Sequence, residues 1–180
     1  NDGPHNPKNT RSLLFCRETP PAMSLRVRDN AAAAVRAGLH HILFTDPPPQ
    51  VPDAIDAYLA SLRPVPSPHR VGDRLSPAAR RGRHIFFSAE TGCSRCHPTP
   101  LFTDLAAHDV GTAGDYDHAS DEFDTPTLVE LWRTAPYLHD GSAATLRDVI
   151  TTRNPQDLHG RTSQLNPRQL EDLVEYLSSL

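Results

Sequence analysis

The sequence predicts an all-α fold in two parts, a partial region over residues 1–70 and a complete domain over 71–180. Three observations carry this. Two capped amphipathic helix signatures bracket the second part, and a Cys-x-x-Cys-His lies between them. Eighteen prolines in 180 residues, about twice the usual share, favour short helices joined by stiff loops over a large sheet.

The first helix is expected over Leu75–Phe87, with Ser76 in the N-cap position and Pro77 at the first helical residue. Gly82 inside it costs about 1 kcal/mol relative to alanine, which implies that another helix crosses there closely. Asn166-Pro167 opens that other helix, and its Leu170, Leu173, Val174, Leu177 and Leu180 share one apolar face. Pro64-Val65-Pro66-Ser67-Pro68 reads as the linker between the two parts. Leu101 to Asp124, rich in Gly, Asp and His, reads as an irregular loop whose acids are solvated, with a bound calcium ion as the alternative.

Between the helices, Gly92-Cys93-Ser94-Arg95-Cys96-His97 offers two thiols for the vinyl groups of a haem and an imidazole placed to reach its iron. The expected cofactor is therefore one covalent haem c, with His97 as the proximal ligand. Structural zinc would need four ligands, and Cys16 is the only other cysteine. A dithiol redox pair belongs in a βαβ setting that the sequence lacks, and it has no use for the following histidine. Aromatic residues make up 6 % of the chain, so a bulky prosthetic group would complete a small core.

Charge and hydropathy remove other classes. A net charge of −4 without a basic cluster excludes a nucleic-acid surface. The longest apolar run, around Leu39 to Phe44, is too short to span a membrane. The chain starts at Asn1 without methionine or a signal-peptide pattern, so it reads as a processed or fragmentary piece with further domains upstream. In bacteria haem is attached to thiols outside the cytoplasmic membrane, so a periplasmic or extracytoplasmic location follows.

The sixth iron ligand decides whether such a haem only carries electrons or also binds small molecules. His159 is the first candidate, in the loop Asn154 to Thr162 shortly before the last helix, where Gly160 lets the backbone approach a cofactor. Met23 in the stiff segment Pro20-Pro21-Ala22-Met23 is the second and Cys16 the third, although each has an ordinary core-filling reading. The remaining histidines, His5, His40, His41, His69, His84, His108 and His118, read as surface or local hydrogen-bonding residues.

The order of helix, Cys-x-x-Cys-His and a final helix containing Leu173-Val174-Glu175-Tyr176-Leu177 resembles the cytochrome c fold. A weak tandem duplication accompanies it. One offset places Thr10, Leu13, Thr19 and Pro21 on Thr125, Leu128, Thr134 and Pro136, and a slightly larger one places Tyr58-Leu59-Ala60-Ser61-Leu62 on Tyr176-Leu177-Ser178-Ser179-Leu180. The second copy, with Asp124-Thr125-Pro126-Thr127-Leu128, Thr134-Ala135-Pro136-Tyr137-Leu138-His139-Asp140-Gly141 and Thr145-Leu146, is similar to the bacterial di-haem cytochrome c peroxidase and MauG-like family.

That resemblance implies two fused cytochrome c domains, of which residues 1–70 would be the rear half of the first, without a haem motif of its own. It also implies that Tyr137 and His139 lie near the haem. Two departures matter. The arginine expected after the Thr-Pro-x-Leu element is Val129, so Arg133 is the candidate for a haem propionate. The methionine ligand expected beyond His139 is replaced by Arg153.

The expected function is electron transfer to a redox partner protein or domain. The alternative is a fragment of a di-haem peroxidase or MauG-like oxidase, with His139, Asp140 and Glu122 as acid/base candidates. A haem-based sensor of gaseous ligands is a third reading and requires a vacant or labile sixth position.

Overall fold

The computed structural model describes residues 8–118 and 121–180, so His5 lies outside the described residues. The long helices of the second part begin where their caps dictate. In helix α3, Pro77–Phe86, the Ser76 hydroxyl accepts the Ala79 amide at 3.0 Å. In helix α6, Pro167–Ser178, Asn166 and Gln169 satisfy each other's amides in a reciprocal capping box. Such caps supply partners for backbone donors that a helix start leaves orphaned.

These two helices form the centre of the molecule. A Cβ on Gly82 would lie 1.8 Å from the Asp172 carbonyl oxygen and 2.8 Å from the Tyr176 Cβ, so only glycine permits the crossing. The apolar faces close around it: Phe86, Ala79, Leu173, Tyr176 and Leu177 are buried together with Leu128, Leu146, Val149 and Ile150. Phe86 packs edge-on against Tyr176 at 5.4 Å and against Phe102 at 6.0 Å between ring centroids. At the rim of the crossing the Arg81 guanidinium donates two hydrogen bonds to Asp172, at 2.7 and 2.6 Å. A paired fork of this kind fixes rotation of one helix about the other as well as adding attraction.

Earlier in the chain, helices α1, Ala31–His41, and α2, Gln50–Ser61, pack on each other. A single turn α4, Cys93–Cys96, a 3-10 turn at Leu131–Arg133 and a short helix α5, Leu146–Ile150, complete the helical set among the described residues. The all-α expectation needs one amendment. Strands β1, Ala107–His108, and β2, Phe123–Asp124, form a two-residue antiparallel ladder that pairs His108 with Phe123. The loop from Leu101 to Asp124 is thereby folded back on itself rather than left fully irregular.

The proline-rich segment at 64–68 is tied down. The Val65 amide donates to Glu130 at 2.5 Å, and the Ser67 hydroxyl donates to the Ser178 carbonyl at 2.6 Å. Residues 8–28 are also laced onto the second part. Arg11 pairs with the buried Asp124 at 2.8 Å, the Asp124 amide reaches Ser24 O at 2.9 Å, and Arg26 donates to Leu105 O at 3.0 Å.

Two stretches carry the same backbone marks in the same order. Isolated antiparallel bridges join Ala22 to Arg28 and Tyr137 to Ala143. Positive φ angles occur at Phe15 and Glu130 (59° and 62°), at Met23 and Leu138 (77° and 70°), and at Arg26 and Gly141 (57° and 75°). A capped helix follows each, starting at Ala31 after Asn30 and at Leu146 after Thr145.

Two outcomes are expected at the crossing. Gly82→Ala, which in a free helix would stabilise by about 1 kcal/mol, should here destabilise by about 3 kcal/mol or more, as read by denaturant unfolding. Asp172→Asn should unfold more readily at neutral pH. Because hydrogen bonds from Arg81 hold the Asp172 pKa below its ordinary 3.8, the wild-type advantage is full above that pH. It disappears as the pH falls through the depressed value, where the two unfolding curves should converge.

Candidate metal centre

Gly92, with φ of +74°, turns the chain into α4, and the four-residue turn presents Cys93 and Cys96 before the chain leaves at His97. Both cysteines are free of disulfide partners. Burial pushes both thiols up from their ordinary pKa, whereas a nucleophilic dithiol needs one pushed down. His97 is buried, and its Nδ1 lies 2.8 Å from the Phe102 carbonyl oxygen. A carbonyl can only accept, so the proton sits on Nδ1 and the lone pair on Nε2 is free for a metal.

Facing this ring is His159. The two imidazole centroids are 6.4 Å apart, with ring planes tilted by 39°. Metal–imidazole bonds are about 2 Å long, so two rings binding one metal from opposite sides have centres about 6 Å apart. Burial, and then the neighbouring His97, push the His159 pKa down to about 4. Burial pushes His97 down as well. Both imidazoles are therefore neutral near pH 7, the form that ligates metals. His159 Nδ1 and Trp132 Nε1 are the two buried side-chain nitrogens without a hydrogen-bond partner among the described residues.

The loop that carries His159 is built against the motif. Gly160 has φ of +80°, and a Cβ there would lie 3.2 Å from Thr91 O and 3.6 Å from Cys93 Sγ. The Arg161 amide donates to Thr91 O at 2.9 Å. From outside, Leu158 fills the space at Gly111, where a Cβ would lie 2.7 Å from Leu158 Cδ1. Two thiols in one helical turn, an oriented imidazole and a second neutral imidazole opposite it fit a covalently attached haem. The rival grouping, Cys96 with Asp104 and His108, brings three ligand atoms within 4.8 Å of one another. It excludes Cys93 and His97, and its Asp104 and His108 already share a 2.8 Å hydrogen bond.

Other residues singled out from the sequence have their own partners. Arg133 donates to the buried Glu130 at 2.7 Å through Nε, and Tyr137 donates its hydroxyl proton to Leu131 O at 3.1 Å. His139 Nε2 lies 2.7 Å from Asp117, which also pairs with Lys8, and its ring stacks on Phe123 at 3.6 Å. Met23 sits in the turn closed by the Ala22–Arg28 bridge, and its carbonyl accepts from Arg11 and Arg26. Cys16 is half-buried in a turn on Leu13. Arg153 faces Asp140 at 4.0 Å.

No protein-family profile matches the chain. Among curated proteins it is 36 % identical over 170 aligned residues to hydrazine synthase subunit gamma of Kuenenia stuttgartiensis, covering 71 % of this chain and 48 % of that one. It is 29 % identical over 121 residues to the methylamine utilization protein MauG of Methylorubrum extorquens, covering 57 % and 34 %. The solved hydrazine synthase of Kuenenia stuttgartiensis superimposes with a TM-score of 0.84 at 29 % identity, over 96 % of this chain and 72 % of that one. The chain is a c-type cytochrome related to the MauG and cytochrome c peroxidase proteins. The diheme peroxidase BthA of Burkholderia thailandensis shares the fold, with a TM-score of 0.69 at 18 % identity over 96 % and 71 % of the two chains. This cytochrome spans less than half the length of these curated relatives.

Sequence reasoning missed Asn154, Asp117 and Thr91, since none belongs to a recognised ligand pattern. An asparagine followed by proline at the start of a histidine-bearing loop was the available signal for the first. One outcome follows for the loop. Gly160→Ala places a side chain in left-handed backbone at about 1–2 kcal/mol and presses on Thr91 O. It should lower the melting temperature and alter the visible spectrum of the holoprotein together.

Proposed function

We propose that this cytochrome transfers electrons through one haem c, which Cys93 and Cys96 would attach and whose iron His97 and His159 would ligate, as part of a longer redox protein outside the cytoplasm. The observation that carries this reading is the opposition of two neutral, buried imidazoles at 6.4 Å. When bound, the haem supplies a reversible one-electron couple between ferric and ferrous iron. The chain's own residues do the rest. Phe102 O orients His97, Gly160 lets the distal loop close on Cys93, and the α3–α6 core keeps the attachment turn and the distal loop in one rigid unit.

Residues 1–70 are read as the rear half of a second, related cytochrome unit. The matching bridges and positive φ angles support this. So does exposure at equivalent helix positions: Tyr176 in α6 is 3 % exposed beneath α3, whereas Tyr58 in α2 is 63 % exposed with no such helix over it among the described residues. A second functional reading, a di-haem oxidoreductase acting on peroxide or another small molecule, is favoured by the names of the relatives.

The holoprotein decides between them. Pyridine haemochrome titration should give one covalent haem per chain. Ferric and ferrous spectra should be low-spin, with no change on adding carbon monoxide or peroxide, and His159→Ala should give a high-spin iron that binds carbon monoxide. Carbon monoxide or peroxide binding to the unaltered protein would reject the saturated carrier in favour of the second reading.

A further inference from the structure

The loop that carries His159 contains a buried side chain that makes four hydrogen bonds within it. Asn154 is 4 % exposed. Its Oδ1 accepts the His159 amide at 2.8 Å, and its Nδ2 lies 2.7 Å from Gly160 O, 3.0 Å from Thr162 Oγ1 and 3.3 Å from His159 O. The assignment of oxygen and nitrogen is fixed by these partners, since the reverse would set Oδ1 against two carbonyl oxygens. Thr162, itself buried, passes the restraint on by donating to Ile150 O at 2.6 Å at the end of α5.

We propose that Asn154 is the positioning residue that makes His159 a permanent iron ligand, by clamping the backbone on both sides of it to the α5 terminus. This rests on the reading of His159 as the distal ligand. The physical reason is local. A loop ligand leaves its metal when the backbone carrying it swings away, and here that swing must break the bonds of one buried amide to residues 159, 160 and 162 at once. A broken bond leaves a buried polar group unpaired, so the bonds fail together rather than in sequence. Gly160 against Thr91 and Cys93 closes the other side, and Leu158 beneath Gly111 covers the outside. Losing a residue that holds a metal ligand in place typically costs about 10- to 100-fold in metal affinity or activity.

The test is ligand exchange in the holoprotein. Ferric protein is mixed with excess imidazole and ferrous protein with carbon monoxide, and displacement of the distal ligand is followed by absorbance for the unaltered protein, Asn154→Ala, Thr162→Val, Thr162→Ser and His159→Ala. Asn154→Ala should exchange about tenfold faster or more. Thr162→Val should move in the same direction by less, and Thr162→Ser, which keeps the hydroxyl, should match the unaltered protein. A merely structural residue would lower the melting temperature without changing exchange.

If Asn154→Ala does not yield folded protein, Thr162→Val alone decides, and unaltered exchange in it overturns the proposal. Should His159→Ala leave the spectrum unchanged, the distal assignment itself is wrong. If His159→Ala opens the iron while Asn154→Ala and Thr162→Val exchange at the unaltered rate, the assignment stands and the positioning role is rejected.

Discussion

The closeness of α3 to α6 at Gly82 is the constraint on which the rest of the molecule depends. With the Asp172 carbonyl occupying the space where any other residue would carry its Cβ, the helices approach near enough for Phe86 and Leu173 to become almost wholly buried. Burial of side chains of that size contributes about 1.5–3 kcal/mol each. The core formed in this way reaches both sides of the proposed haem site. Phe86 leads through Phe102 to the carbonyl that orients His97. Thr91, just beyond α3, holds Ile85 O with its hydroxyl and the distal loop with its carbonyl. A shift in the helix crossing would therefore move the proximal and distal sides relative to each other.

The two sides of the site are held by different means. His97 follows a turn of regular helix and is oriented by one hydrogen bond, so its placement is set by covalent proximity to Cys96. His159 belongs to a loop, where nothing in the chain's regular structure fixes it. That difference explains the density of polar contacts on the distal side. Besides Asn154, the Asp157 carboxylate accepts from the amides of Thr162 and Ser163 and from the Ser163 hydroxyl. A loop that replaces helix hydrogen bonds with side-chain ones can be as well determined as a helix, provided every buried polar atom finds a partner.

What the sequence made legible follows the same division. Helix starts at Ser76-Pro77 and Asn166-Pro167 and the close approach at Gly82 were readable because each depends on a local chemical rule. Cys93, Cys96 and His97 were readable as a group because their spacing is itself the chemistry. His159 was reachable only by its position before the last helix. Asn154 was out of reach because its role exists only when residues 159, 160 and 162 fold back over it. The β1–β2 ladder was missed for a related reason: two residues per strand leave no alternation to detect, and its register is set by tertiary packing of Phe123 on His139.

His139 shows how tertiary context narrows the chemistry. In the sequence it was available as an acid/base group for peroxide chemistry, beside Asp140. In the fold its Nε2 is engaged by Asp117, its ring is stacked on Phe123, and its carbonyl accepts the Asn9 amide at 2.7 Å. Asp140 turns toward Arg153, the residue standing where the resemblance called for methionine. Two of the three acid/base candidates, His139 and Asp140, thus have partners of their own, while the ring opposite His97 belongs to a neutral imidazole. Peroxide activation requires an open iron and a mobile proton on the same side. On the proposed reading, with His159 opposite His97 and with His139 and Asp140 tied to other partners, the residues of this half would favour passage of electrons over chemistry at the iron.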